Sequence, residues 1–289
     1  MKTLGVEDNF LGLSEAESAY NTARAVILPL PYEKTTSYKQ GTAAGPQAIL
    51  SASQQVEFYD DELRAEPRKV GIATVAAPDF TGLSHEAGLE KIAEVAGLLF
   101  DDGKFVVSLG GEHSVTIPLV REVVRRHPDV SVLQLDAHSD LRRSYEGSPL
   151  NHACVMARVD ELCDFVAVGL RSGIAGEEKG LRSRSRLFYA CEMVRDSSWQ
   201  QKALDALGEK VYLTLDLDFF DPAIMPAVGT PEPGGFHWYE TLAFLREVFR
   251  EKEVVACDVV ELMPQPGQHH ADFLAAKLVH RLLGYRFLL

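Results

Sequence analysis

Eight short apolar runs recur along the chain: ARAVILPL, KVGIATVA, KFVVSLG, VSVLQLD, DFVAVGL, RLFYA, KVYLTLDLD and EVVACDVV. Several are continuous rather than alternating, which a strand sustains when both its faces are buried. Between most of them lie stretches with apolar residues at helical spacing, among them LEKIAEVAGLLF, VTIPLVREVVRR, ETLAFLREVFR and ADFLAAKLVHRLLG. A parallel sheet flanked by helices satisfies both patterns, either open and doubly wound or closed as a barrel. No repeat, low-complexity segment or Pro/Ser-rich linker divides the 289 residues. The 46% apolar content suffices for one large core, so one domain over 1–289 is expected.

Composition removes several function classes. The formal net charge is -13, and nucleic-acid binders usually carry a basic patch. Arg182, Arg184 and Arg186 form the one short basic cluster of note, which reads as a solvated loop or a subunit contact. No apolar run approaches the roughly 20 residues that cross a bilayer. The start, MKTLGVEDNFLGL, has no basic region followed by an apolar one, so no signal peptide is expected. Cys154, Cys163, Cys191 and Cys257 make no CxxC pair and read as reduced thiols of a cytoplasmic protein.

In both candidate architectures, ligands bind at the carboxyl ends of the strands. Three runs end there in chemistry. KFVVSLG leads into GGEHS, with Glu112 and His113. VSVLQL leads into DAHSD, where Asp136, His138 and Asp140 alternate, and alternating residues of an extended chain share a side. KVYLTL leads into DLDFFDP, with Asp216 and Asp218. A fourth, EVVACDVVELMP, brings Asp258 and Glu261 to a strand end. Buried carboxylates this crowded must share protons or bind cations. Two imidazoles among them favour cations, and the oxygen-rich, cysteine-free set favours manganese over zinc. His113, Asp136, His138, Asp140, Asp216 and Asp218 are too many ligands for one open catalytic ion and fit two with bridging carboxylates. Four aspartates balance two divalent ions.

GGEHS, DAHSD and DLDFFDP, in that order, resemble the three metal signatures of the ureohydrolases: arginase, agmatinase and formiminoglutamase. LPLPYEKTTSYKQGTAAGPQAI is similar to the agmatinase entry segment, and GTPEPGG and ELMP also fit. The resemblance covers nearly the whole chain. It implies a three-layer α/β/α fold with a mainly parallel eight-stranded sheet, two Mn(II) per chain and a homotrimer or homohexamer. It further implies that His113 and Asp140 hold one ion, His138 and Asp218 the other, and Asp136 and Asp216 bridge. His152, in PLNHAC, matches the cleft histidine, and Glu261 the carboxylate that binds the guanidinium. Glu112 stands where many relatives have Asp, with no effect expected on the metals. Asn151 and Ala153 replace the flanking Ser and Gly.

The implied chemistry is hydrolysis of a guanidine to urea and an amine. Two metals supply hydroxide near neutral pH, and Glu261 pairs with the guanidinium. Asp140 takes the nucleophile's proton and passes it to the leaving amine, and His152 exchanges protons with solvent. The segment LRRSYEGSPLN is expected to select the substrate, with Tyr145 and Glu146 lining the tail pocket. Arg142 stands where arginases have Asn, which moves the expectation from arginine to agmatine. N1-aminopropylagmatine is an alternative, and guanidinobutyrate another that Arg142 or Arg143 could welcome. A silent metal-binding relative and a dimetal phosphoesterase are the readings from other classes. The intact site residues oppose the first, and the lack of a phosphate-cradling Gly-Lys loop the second.

Overall fold

The computed structural model describes residues 1–289. All eight apolar runs form strands: β1 (Ala25–Leu30), β2 (Ile72–Thr74), β3 (Phe105–Gly110), β4 (Ser131–Leu135), β5 (Phe165–Leu170), β6 (Arg186–Tyr189), β7 (Lys210–Asp216) and β8 (Glu253–Val260). They pair into one sheet of order β2-β1-β3-β8-β7-β4-β5-β6, parallel throughout. The sheet is open, with β2 and β6 at its edges, so the barrel alternative falls.

Successive strand residues point to opposite faces, and the two faces carry separate cores. Ile27, Val107, Leu133, Leu213 and Val259 pack beneath helices Gly45–Ser53, Trp238–Glu251 and His269–Leu288. Leu28, Val106, Val132, Tyr212 and Val260 pack beneath helices His85–Asp101, Thr116–Arg126 and Val155–Leu162. The result is the expected three-layer α/β/α arrangement. The four helical patterns read from the sequence all form helices. No helix is long and apolar enough to cross a membrane.

Arg182, Arg184 and Arg186 are exposed beside the edge strand β6. The cysteines are unpaired; Cys154, Cys163 and Cys257 are buried and Cys191 is exposed.

Strand order is what assembles the site. The chain passes from β3 to β4 across two places in the sheet, and β7 and β8 later fill them. The segments that follow β3, β8, β7 and β4 therefore meet at the carboxyl edge of the sheet's centre.

Candidate active site

The two glycines of GGEHS let the chain at the end of β3 pack closely, Gly110 against Val115 and Val260 of β8, and Gly111 against the segment after β1. A Cβ on Gly111 would stand 2.1 Å from the Tyr32 carbonyl oxygen. The Gly111 and Glu112 amides instead donate to the carbonyls of Leu30 and Tyr32, both at 2.9 Å. This pairing delivers His113 to the sheet centre, at the start of a short helical turn.

The Nδ1 of His113 is buried and has no hydrogen-bond partner. Carboxylate oxygens of Asp136, Asp140 and Asp216 lie 3.2, 3.1 and 3.3 Å from it. Nδ1 of His138 lies 2.7 Å from Asp218 and 3.7 Å from Asp136. Two sets of candidate ligands result, His113–Asp136–Asp140 and Asp136–His138–Asp218, with Asp136 common to both. All six ligands expected from the sequence thus stand together.

They converge by a different route from simple alternation. β4 ends at Leu135, and Asp140 adopts a left-handed backbone with φ 49°, which its short polar side chain tolerates. Its carbonyl accepts the amides of Met156 (3.0 Å) and Ala157 (3.3 Å) at the start of the next helix. Asp216 accepts the Asp218 amide at 2.9 Å. Asp136 accepts the His138 amide at 2.5 Å and the Gln134 side chain at 2.7 Å.

The electrostatics ask for positive charge. Burial alone would push both imidazoles down. The carboxylates beside them override it, holding His113 well above its ordinary value and His138 at about 11. Burial, then the neighbouring acids, push Asp136 up to about 7 and Asp216 well above the usual carboxylate range. Protons held this way are those that bound cations displace. With the orphaned Nδ1 facing three acids, the donor set fits a pair of divalent ions.

A buried relay stands behind His113. Its Nε2 lies 2.9 Å from the Thr214 hydroxyl, which donates to Asp258 at 2.7 Å. Asp258 also accepts Thr116 (2.9 Å) and Tyr212 (2.5 Å). Thr214 has one hydroxyl proton, and Asp258 takes it. The Thr214 oxygen must then accept from His113, so Nε2 carries the proton and the Nδ1 lone pair is left for an ion. Arg171 fixes the other side, donating to the carbonyls of Asp218 (2.6 Å), Gly169 (3.1 Å) and Glu232 (3.0 Å).

A cavity of about 190 Å³ opens over the cluster. His113, His138, Asp140, Asp216, Asp218, His152, Tyr145 and Glu261 all line it. Glu261 sits at φ 68° and accepts the His113 amide at 2.6 Å through Oε1, leaving Oε2 available. Burial pushes its carboxyl up to about 8, and a bound guanidinium would favour the charged form. The Asn151 side chain accepts the Ala153 amide at 3.0 Å and shapes the turn that carries His152.

Glu146 stands elsewhere. It is the exposed tip, at φ 48°, of a tight turn in which the Tyr145 amide meets the Ser148 carbonyl at 2.9 Å. It does not line the cavity; the carboxylate that does, after β5, is Glu177, which accepts the Ser139 hydroxyl and the Ile174 amide (3.0 Å). Arg142 lines the cavity with its guanidinium 4.8 Å over the Tyr145 ring, whereas Arg143 is exposed near Glu161.

Sequence reasoning missed Gln134, Thr214, Arg171 and Glu177. The first two carried a signal, being polar residues inside otherwise apolar strands, where each needs a partner.

The family model for the arginase family matches residues 23–284. The N(1)-aminopropylagmatine ureohydrolase of Synechocystis sp. is 42% identical over 281 residues, covering 94% of this chain and 92% of that protein. The agmatinase of Pyrococcus horikoshii is 35% identical, with 90% of each chain covered. The crystal structure of agmatine ureohydrolase from Thermoplasma volcanium matches with a TM-score of 0.85 at 28% identity, over 99% of this chain and 94% of that one. With the three signatures gathered at one sheet edge and relatives of this closeness, the chain belongs to the arginase family of ureohydrolases.

Proposed function

We propose that this chain is a dimanganese hydrolase that releases urea from a linear, cationic guanidine. One observation carries the reading: Glu261 and five of the six clustered ligands line a common cavity, with the sixth, Asp136, buried 3.2 Å from His113, so the anion for a guanidinium stands beside the donors for two ions. Bound divalent ions supply Lewis acidity and a water of lowered pKa. The chain's own groups do the rest. Glu261 holds the guanidinium through its available oxygen. Asp140 accepts the nucleophile's proton and returns it to the leaving amine. His152 exchanges protons with solvent. Tyr145 lines the wall, and Glu177 rather than the exposed Glu146 binds the tail, because it is the carboxylate outside the ligand cluster and Glu261 that lines the cavity.

Among cationic guanidines, N1-aminopropylagmatine leads over agmatine. The relative at 42% identity carries that substrate in its name, against 35% for the agmatinase. Guanidinobutyrate is the second reading, favoured by Arg142 and Lys39 on the cavity wall. Cytoplasmic residence, a single domain over 1–289 and assembly as a homotrimer or homohexamer belong to the same reading. Unpaired thiols support the first, the single continuous sheet the second, and family resemblance the third.

The test is urea release by the manganese-loaded protein from these guanidines, with phosphate esters in parallel. Urea from a cationic guanidine and no phosphate release support the proposal. Phosphate release alone, or no turnover of any compound at full metal loading, refutes it.

A further inference from the structure

Glu112 is fully buried, yet the hydrogen bonds of its carboxylate go to none of the candidate metal ligands' side chains. It reaches instead to the loop after β1. Its Oε2 accepts the backbone amides of Lys34 and Thr35, both at 2.6 Å. Its Oε1 accepts the Thr35 hydroxyl at 2.9 Å and the Ser114 hydroxyl. The Thr35 oxygen in turn accepts the backbone amide of His152 at 3.0 Å and lies 3.3 Å from His152 Nδ1. Four donors thus converge on one carboxylate, and the loop they fix continues into the cavity wall at Thr36–Lys39.

The proton count decides the imidazole. An ionised carboxylate only accepts, and a threonine hydroxyl has one proton to give. Thr35 gives it to Glu112, so toward His152 its oxygen can only accept. His152 must then carry its ring proton on Nδ1, which leaves Nε2 as the basic nitrogen. Length matters as well as charge. An aspartate at 112 would fall one methylene short of both loop amides.

We propose that Glu112 and Thr35 are positioning residues for His152: the carboxylate, acting through the threonine hydroxyl, sets which imidazole nitrogen can accept a proton in the cavity, and ties the cavity wall to the metal-bearing end of β3. The catalytic consequence rests on the proposed reading of His152 as a proton carrier; the tautomer does not.

Thr35→Val removes the hydroxyl and keeps the shape, and Thr35→Ser keeps the hydroxyl. The readouts are the ¹⁵N shifts of the His152 ring, in protein loaded with a diamagnetic divalent ion, and steady-state urea release with metal content. The wild type and Thr35→Ser should hold the proton on Nδ1, and Thr35→Val should lose that preference. Thr35→Val should also lose about 10- to 100-fold in kcat, with KM changed by less than about threefold and full metal content, and Thr35→Ser should recover most of it. Glu112→Gln, if it folds, should move the ring shifts in the same direction as Thr35→Val. An unchanged His152 tautomer in Thr35→Val overturns the proposal. If the tautomer shifts as expected while the wild type hydrolyses no guanidine, the relay stands and the functional reading alone fails.

Discussion

Thr214→Val tests the relay behind the proposed metal ligands with little change in shape. Thr214 is wholly buried on β7, so valine fills its place without a void. The substitution removes the contacts from His113 Nε2 (2.9 Å) and to Asp258 (2.7 Å). Asp258 keeps Thr116 and Tyr212 as donors, so the loss falls mainly on the His113 N–H. A buried donor left without a partner costs about 1–3 kcal/mol. Removing such an outer-shell partner typically weakens metal binding about 10- to 100-fold, which is about 1.4–2.8 kcal/mol and falls in the same range. Calorimetric titration of the metal-free protein with Mn²⁺ measures it, with a thermal melt to establish that the variant is folded. The site containing His113 should weaken by that factor, the site containing His138 should weaken less, and Thr214→Ser should recover both. A folded Thr214→Val protein with wild-type affinity at both sites would refute the reasoning.

Asp136→Asn removes the carboxylate common to both ligand sets. Elemental analysis should find metal lost together with activity, and one tightly bound zinc in active wild-type protein would contradict the two-manganese reading. Glu261→Gln should retain its metals while kcat/KM falls by about 2–4 kcal/mol, as expected for removing one partner of a buried charged pair; lost metal would make Glu261 a ligand. His280 is buried in helix His269–Leu288, and burial, with Lys277 nearby, pushes its imidazole down to about 4. An unfolded histidine titrates near 6.5, so the unfolded chain binds more protons between pH 6.5 and 4, and about 3 kcal/mol of stability should be lost as pH falls through that window. His280→Gln should lose less over the same range in denaturant titrations, and parallel losses in the two proteins would count against the assignment.

The central strands were legible because a strand buried on both faces must be apolar throughout, and little else reads that way over five or six residues; the edge strands β2 and β6 are shorter, and β6 has no buried residue. The candidate ligands were legible because they stand at strand ends, where parallel sheets bind small molecules and ions. Strand order was not, because pairing β3 with β8 joins residues about 150 apart and no local pattern encodes it; hence the barrel stayed open as an alternative. The relays were hidden for the same reason. Thr35 lies 117 residues from His152 and Thr214 lies 101 from His113. Glu146 looked suited to the tail pocket, being charged and near Tyr145, but the left-handed turn at 146–147 carries it out to solvent. Glu177 gave no such cue, since it lies beyond β5 in an ordinary charged loop. Asp258 was noticed as a strand-end acid, and its three hydroxyl partners give it a supporting role that adjacency to Glu261 did not reveal.

The proposed activity is hydrolysis, in this cavity, of a guanidinium carried on a cationic tail. Its most direct test is kcat/KM for N1-aminopropylagmatine, agmatine, guanidinobutyrate and arginine, measured as urea release by manganese-loaded protein. Leaving buried polar groups unpaired can discriminate by roughly 10⁴-fold, whereas a single methylene changes rates only about 10- to 200-fold. Both polyamine guanidines should therefore exceed arginine by a ratio of the larger kind, with N1-aminopropylagmatine ahead of agmatine. Arginine turned over as fast as either, or guanidinobutyrate faster than both, would contradict the cationic-tail account and point to Arg142 and Lys39 as the groups that select the substrate.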